Sequence, residues 1–116
     1  MKIEIPKGVM AEMLAHSKRL APVEACGYLA GSNGAVEKRV EMTNIDDSPE
    51  HFSFDPKEQF QVMKQSRQDG NELMAVYHSH PASPARLSRE DIRLFNDPHM
   101  IYIIVSLHEN NDDIKA

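Results

Sequence analysis

The sequence predicts a single α/β domain, α+β in the broader sense, in which helices pack on a mixed sheet. Three observations carry that prediction. Segments with helical apolar spacing alternate with short apolar runs of strand type. Gly31-Ser32-Asn33-Gly34 is a strong turn signal between two such runs and predicts an antiparallel hairpin. The apolar runs at 73–79 and 100–107 are separated by a helical segment, which suits parallel neighbours joined by a crossover.

Taken in order, Lys2–Ile5 alternates and reads as a short strand stopped by Pro6. From Lys7 to Leu20, Val9, Met10, Met13 and Leu14 follow helical spacing, and Pro22 ends the helix. Ala25–Ala30 reads as a buried strand, with Val36–Met42 as its polar-alternating partner. Thr43–Glu50 is a loop, and Phe52 and Phe54 flank Ser53 in a short strand or packed turn. Asp55 caps a second helix that has Pro56 at its first position, Phe60, Val62 and Met63 as its apolar side, and Gly70 as its stop. Leu73–Ser79 is a strand, Ser88 caps a third helix through about Phe95, and Met100–Leu107 is a continuous apolar run typical of a central strand. Ile114-Lys115-Ala116 begins a further strand. The methionines at 10, 13, 42, 63 and 74 are expected in the core.

Composition narrows the function classes. The 116 residues fit one small domain with one core, and 41% hydrophobic content is ordinary for a globular chain. A formal charge of −5 without a basic block argues against nucleic acid as the main partner. No apolar run approaches the roughly 20 residues that span a bilayer. The N-terminus has no apolar core of a signal peptide. The one cysteine, Cys26, cannot form an internal disulfide, which suits a reducing cytoplasm. A cytoplasmic protein without membrane partners is therefore expected. The oligomeric state is left open.

The informative segment is His78-Ser79-His80-Pro81 followed by Ser88-Arg89-Glu90-Asp91. Two histidines at i and i+2 on a strand share a face, so both imidazoles can grip one ion. Asp91, one turn inside the next helix, can bring a carboxylate to the same ion. Two nitrogens and one carboxylate suit Zn²⁺, with the fourth position left for water, as in catalytic rather than structural zinc sites. Hydrolysis also needs a proton shuttle. Glu24 is the candidate, although several other acids satisfy the spacing argument equally.

The run Pro22-Val23-Glu24-Ala25-Cys26-Gly27-Tyr28-Leu29-Ala30-Gly31, then His78-x-His80-Pro81, six residues, and Ser88-x-x-Asp91, resembles the JAMM (MPN-plus) metalloprotease family. The resemblance spans nearly the whole chain. It implies a cytidine-deaminase-like mixed sheet and one zinc ion per chain held by His78, His80 and Asp91. It also implies Glu24 as general base and Ser88 as a support for the oxyanion of the tetrahedral intermediate. The activity implied is cleavage of a peptide or isopeptide bond at the C-terminus of a ubiquitin-like or sulfur-carrier protein. The short spacing between His80 and Asp91 resembles compact prokaryotic members, without a long substrate-gripping insertion there. The family's domain usually continues for a strand or two beyond the point matching Ala116, so residues 1–116 are expected to lack the C-terminal strand or strands.

Simpler roles compete for several of these residues. Ser88-x-x-Asp91 before an apolar helix resembles a capping box, a role that competes with zinc ligation for the Asp91 carboxylate. Cys26 in an apolar strand reads as an inert core thiol rather than a nucleophile. Gly27 reads as a site of close packing. His16, His51, His99 and His108 read as surface residues, with His51 and His99 nearest a groove. The rival from another class is a non-catalytic MPN-type scaffold that binds protein partners; such members typically lack one or more ligands, and this chain keeps them all. An amidohydrolase barrel, which also carries His-x-His, needs a far longer chain.

Overall fold

A computed structural model of the chain describes residues 3–81, 100–107 and 113–115. The elements are α1 (Lys7–Leu20), β1 (Cys26–Ser32), β2 (Ala35–Met42), α2 (Pro56–Gln68), β3 (Glu72–His80), β4 (Ile101–Ser106) and β5 (Asp113–Lys115). The strands form one sheet in the order β2-β1-β3-β4-β5. β3 and β4 are parallel, as the intervening segment predicts, and the other pairs are antiparallel. The mixed α+β architecture is the one expected. Among the described residues no helix is long and apolar enough to cross a membrane.

Local chemistry explains the boundaries. In α1, Val9, Met13, His16 and Ser17 are the buried residues, which puts one stripe of the helix against the sheet. Lys18 and Arg19 lie in its last turn, where cations complement the helix dipole. The Asp55 carboxylate accepts from the Lys57 N–H at 3.0 Å, and Pro56 opens α2 with a preset φ. Gly70, at φ 75°, follows the end of α2 in a conformation that favours glycine. The β1–β2 turn has Asn33 at φ 54° and Gly34 at φ 79°, the pairing of left-handed residues that matches hairpin twist.

The two helices cover opposite faces. Val9 and Met13 of α1 pack with Leu29, Ala75, Tyr77, Ile103 and Val105. Val62 of α2 packs against a second cluster of Cys26, Tyr28, Met42, Phe52 and Val76. The β1–β3 register shifts between Leu29 and Ala30, so Leu73 joins the α2 cluster while Met74 and Ala75 join the α1 cluster. Such a bulge resets the alternation of β3. Beyond it Tyr77 lies on the α1 side, and His78 lies on the α2 side, stacked on Phe52.

Several expectations are corrected. Of the expected Lys2–Ile5 strand, the described residues 3–5 make a single parallel bridge, between Glu4 and Ala35, with Pro6 following at the N-cap of α1. Ile3 and Ile5 nevertheless pack against the α1-side core. Met10 and Met63 are exposed rather than buried, and Phe60 is 67% exposed. Only Ser66 of α2 is fully buried, so this helix rests on the sheet through a narrow strip around Val62 and not through Phe60 and Met63. The third helix expected from Ser88 to Phe95 lies outside the described residues.

Candidate functional site

The strand pattern brings His78 and His80 to one face, as i and i+2 residues must be. Both are buried at the end of β3, and their Nε2 atoms approach to 3.1 Å. Two nitrogens on one tetrahedral zinc, each about 2.0–2.1 Å from it, would lie roughly 3.3–3.4 Å apart. The observed separation is close to that spacing, so the pair could hold one ion with little side-chain movement. The same separation also fits an N–H···N hydrogen bond between the rings. The Phe52 ring stacks on His78 with centroids 4.9 Å apart and planes 24° from parallel, which fixes the imidazole plane.

Glu24 reaches the same region through register. Cys26 pairs with His78 in the antiparallel ladder. Continuing one step sets Ala25 against Ser79: the Ser79 N–H donates to the Ala25 carbonyl at 2.9 Å, and the Ala25 N–H donates to the Ser79 hydroxyl at 2.7 Å. Glu24 precedes that pair, one residue before Ala25, with its main chain bonded to Ser48 and Asn44. Glu24 is 2% exposed. Its negative charge is felt at the neighbouring thiol: burial, followed by the charges of Glu58, Glu24 and Asp46, pushes Cys26 up to about 12. Cys26 is thus a buried, protonated thiol, in line with the inert reading.

Ser79 and Asn44, which sequence reasoning did not single out, hold this junction together. Ser79 lies between the histidines but bonds to the Ala25 main chain. Asn44 falls within the Thr43–Glu50 loop. It is buried, its amide donates to the Glu24 carbonyl at 3.0 Å and to the His51 carbonyl at 3.1 Å, and its oxygen accepts from Asp46 and Ser53 N–H groups. An Asn at a strand-to-turn junction, followed by Asp46 and Asp47, is the signal that was available.

The other histidines divide. His51 is exposed and bonded to Asp46 at 2.9 Å, consistent with a surface role. His16 is not a surface residue: it occupies the apolar stripe of α1 and contacts the Tyr77 hydroxyl through Nδ1 at 2.7 Å. Burial lowers its pKa, against the opposing pull of Glu41. Gly27 does serve close packing, since a Cβ there would lie 2.5 Å from the Tyr77 ring.

Ser88 and Asp91, and with them His99 and His108, lie outside the described residues. Among the described residues, no group of three or more His, Cys, Asp or Glu side chains is arranged to hold a metal. Of the expected set, the structure brings His78 and His80 together and buries Glu24 just before β1, the strand that pairs with β3.

Comparison with known proteins follows the same lines. Residues 6–116 match the family described as prokaryotic homologs of the JAB domain. The CysO-cysteine peptidase of Mycobacterium tuberculosis is 39% identical over 100 residues, covering 84% of this chain and 68% of that protein. The probable TtuB-protein conjugate cleaving protease of Thermus thermophilus is 37% identical over 90 residues, covering 77% of this chain and 60% of the relative. A solution structure of a protein from Desulfitobacterium hafniense superposes with a TM-score of 0.86 at 44% identity, covering 97% of this chain and 81% of that one. The family match extends across nearly all of the sheet and both helices, and the chain therefore belongs to the prokaryotic JAB (JAMM/MPN) family.

Proposed function

We propose that this chain is a zinc-dependent peptidase that hydrolyses a peptide or isopeptide bond at the C-terminus of a ubiquitin-like or sulfur-carrier protein. The observation that carries the reading is the approach of His78 Nε2 and His80 Nε2 on one buried face of β3, with Glu24 buried just before the neighbouring strand β1. Neutral imidazoles are good zinc ligands, and Asp91, by its sequence spacing, would supply the carboxylate that completes a three-ligand open site. Zinc held there would supply Lewis acidity for hydrolysis. Glu24 would take the proton of the attacking water and return it to the leaving amine. The Ser88 hydroxyl donates to the oxyanion that forms as the carbonyl is attacked. The Phe52–His78 stack holds the first imidazole in plane and keeps water away from its ring.

The substrate class is supported by the relatives, whose names specify a CysO-cysteine peptidase and a TtuB-conjugate cleaving protease. A flexible glycine-terminated tail fits an open site at the end of a strand, and main-chain pairing along a sheet edge would align it. The test is cleavage of a ubiquitin-like carrier protein extended by one cysteine after its terminal glycine, followed by mass spectrometry. Wild-type protein loaded with zinc should release the cysteine, and Glu24→Gln should lose at least about 100-fold in rate, as expected when a general base is removed. Equal rates in the two proteins would refute the assignment of Glu24. No cleavage of any such carrier by the wild type would favour a binding scaffold.

A further inference from the structure

Glu24 lies just before β1, where the regular ladder ends, so its main chain has to be fixed by other groups. Its N–H donates to the Ser48 carbonyl at 2.8 Å, and its carbonyl accepts from the Asn44 amide at 3.0 Å. The second Asn44 amide hydrogen goes to the His51 carbonyl, one residue before the Phe52 that stacks on His78. The Asn44 oxygen accepts from the Asp46 N–H at 3.1 Å and the Ser53 N–H at 3.2 Å. Every hydrogen-bonding position of this buried amide is therefore used, and all four partners are main-chain groups. One side chain thereby ties the Glu24 main chain to the 44–54 loop, which is also closed by the Asn44–Phe54 bridge.

We infer that Asn44 is a positioning residue for the reaction, fixing Glu24 and the Phe52–His78 stack relative to each other through its side-chain amide. This inference rests on the role of Glu24 as general base proposed above. A base must lie within hydrogen-bond reach of the proton it removes, and a misplacement of about 1 Å can cost on the order of 100-fold in rate. Asn44 touches none of the reacting atoms; it acts through the main chain of Glu24. A residue that only stabilised the fold would change the amount of active protein without changing turnover per folded, zinc-loaded molecule.

Two substitutions separate these roles. Asn44→Asp keeps the size and an acceptor for Asp46 and Ser53 but removes both donations, to Glu24 and to His51. Asn44→Ala removes all four bonds and serves as the more severe variant. For Asn44→Asp, with the carrier-cysteine substrate and rates normalised to bound zinc, kcat should fall about 10- to 100-fold with KM changed less than about threefold. In the Glu24→Gln background the same substitution should cost less than about threefold more, because residues that act as a unit are not additive. Independently of activity, hydrogen exchange of the zinc-free protein should show faster exchange at the Glu24 and Ala25 amides, with β3 amides unchanged.

An unchanged kcat per bound zinc, or a loss fully additive with Glu24→Gln, would overturn the inference. So would unaltered exchange at Glu24 and Ala25 in a folded Asn44→Asp protein. If Asn44→Asp does not fold, Asn44→Ser, which keeps a hydroxyl donor for one carbonyl, is measured in the same way and should lie between wild type and Asn44→Ala. Failure of the underlying reading would look different: Glu24→Gln itself would retain wild-type turnover.

Discussion

Gly27→Ala should destabilise the domain severely, although it adds a single methyl. The Cβ would sit 2.5 Å from the Tyr77 Cε1, 2.6 Å from its Cζ and 2.5 Å from the Val40 carbonyl oxygen. Carbon–carbon contacts are optimal near 3.5–4.0 Å, so an opening of about 1 Å is required on two sides. Neither side yields easily. Val40 O is β2 main chain, and the Tyr77 ring is fully buried with its hydroxyl bonded to His16 at 2.7 Å and to Arg39 at 3.5 Å. Overpacking of this kind costs about 1–3 kcal/mol, and a displaced Tyr77 would lose a further ~1 kcal/mol in hydrogen bonding. A total of about 2–4 kcal/mol corresponds to a Tm lower by roughly 8–16 °C for a domain of this size. Scanning calorimetry on the zinc-free protein measures it. Gly8→Ala is the control: nothing lies within 4 Å of a Cβ there, in the first turn of α1, and the change should be neutral or stabilising by up to ~1 kcal/mol. A Gly27→Ala protein melting within about 2–3 °C of wild type, well short of the range calculated above, would refute the packing argument.

Other outcomes follow from the same contacts. Ser79→Ala leaves the buried Ala25 N–H without the hydroxyl that accepts from it, so urea unfolding should show a loss of about 1–3 kcal/mol. Cys26, fully buried and with its thiol pushed up to about 12, should react with a thiol reagent at pH 8 at under about 1% of the rate in the unfolded chain. Rapid modification of folded protein would contradict that placement. His16 has a pKa lowered chiefly by burial, with Arg39 and Arg19 adding to the effect and Glu41 opposing it. Protonation therefore favours the unfolded chain, and stability from this site is present above the ordinary value of 6.5 and lost as the pH falls below it. His16→Gln should flatten that part of the pH–stability profile, and an unaltered profile would show that His16 does not titrate as described.

The extent to which the sequence revealed this protein depends on how local each cause is. α1 was legible to the residue because apolar spacing, Pro6 and Pro22 all act within it. The hairpin was legible from Asn33-Gly34, and the parallel β3–β4 pair from the segment between two apolar runs. The pairing of His78 with His80 follows from period-two alternation alone. Interactions across the fold were not legible. His16 looked like a surface residue because its partner, Tyr77, lies 61 positions away. Phe60 and Met63 looked like the inner face of α2, but that helix touches the sheet along so narrow a strip that Val62 suffices. The bulge that resets β3 has no single-residue signature, and it decides which face Tyr77 and His78 occupy. Glu24 is distinguished from the other acids by family resemblance, and the structure adds that it is buried two residues before Cys26, which pairs with His78.

The zinc proposal rests on the approach of His78 and His80 within one strand. Their approach at the end of β3, the stacking of Phe52 and the bonding of the Glu24 main chain all converge on one small region. The most direct test is zinc stoichiometry by elemental mass spectrometry on protein purified without chelator, beside His78→Ala, His80→Ala and Asp91→Ala. The account predicts one zinc per chain in the wild type and an affinity at least about 100-fold lower in each variant, since even outer partners of a metal site contribute 10- to 100-fold. A folded wild-type protein that takes up no zinc, or binds it equally well without His78 and His80, would contradict the account.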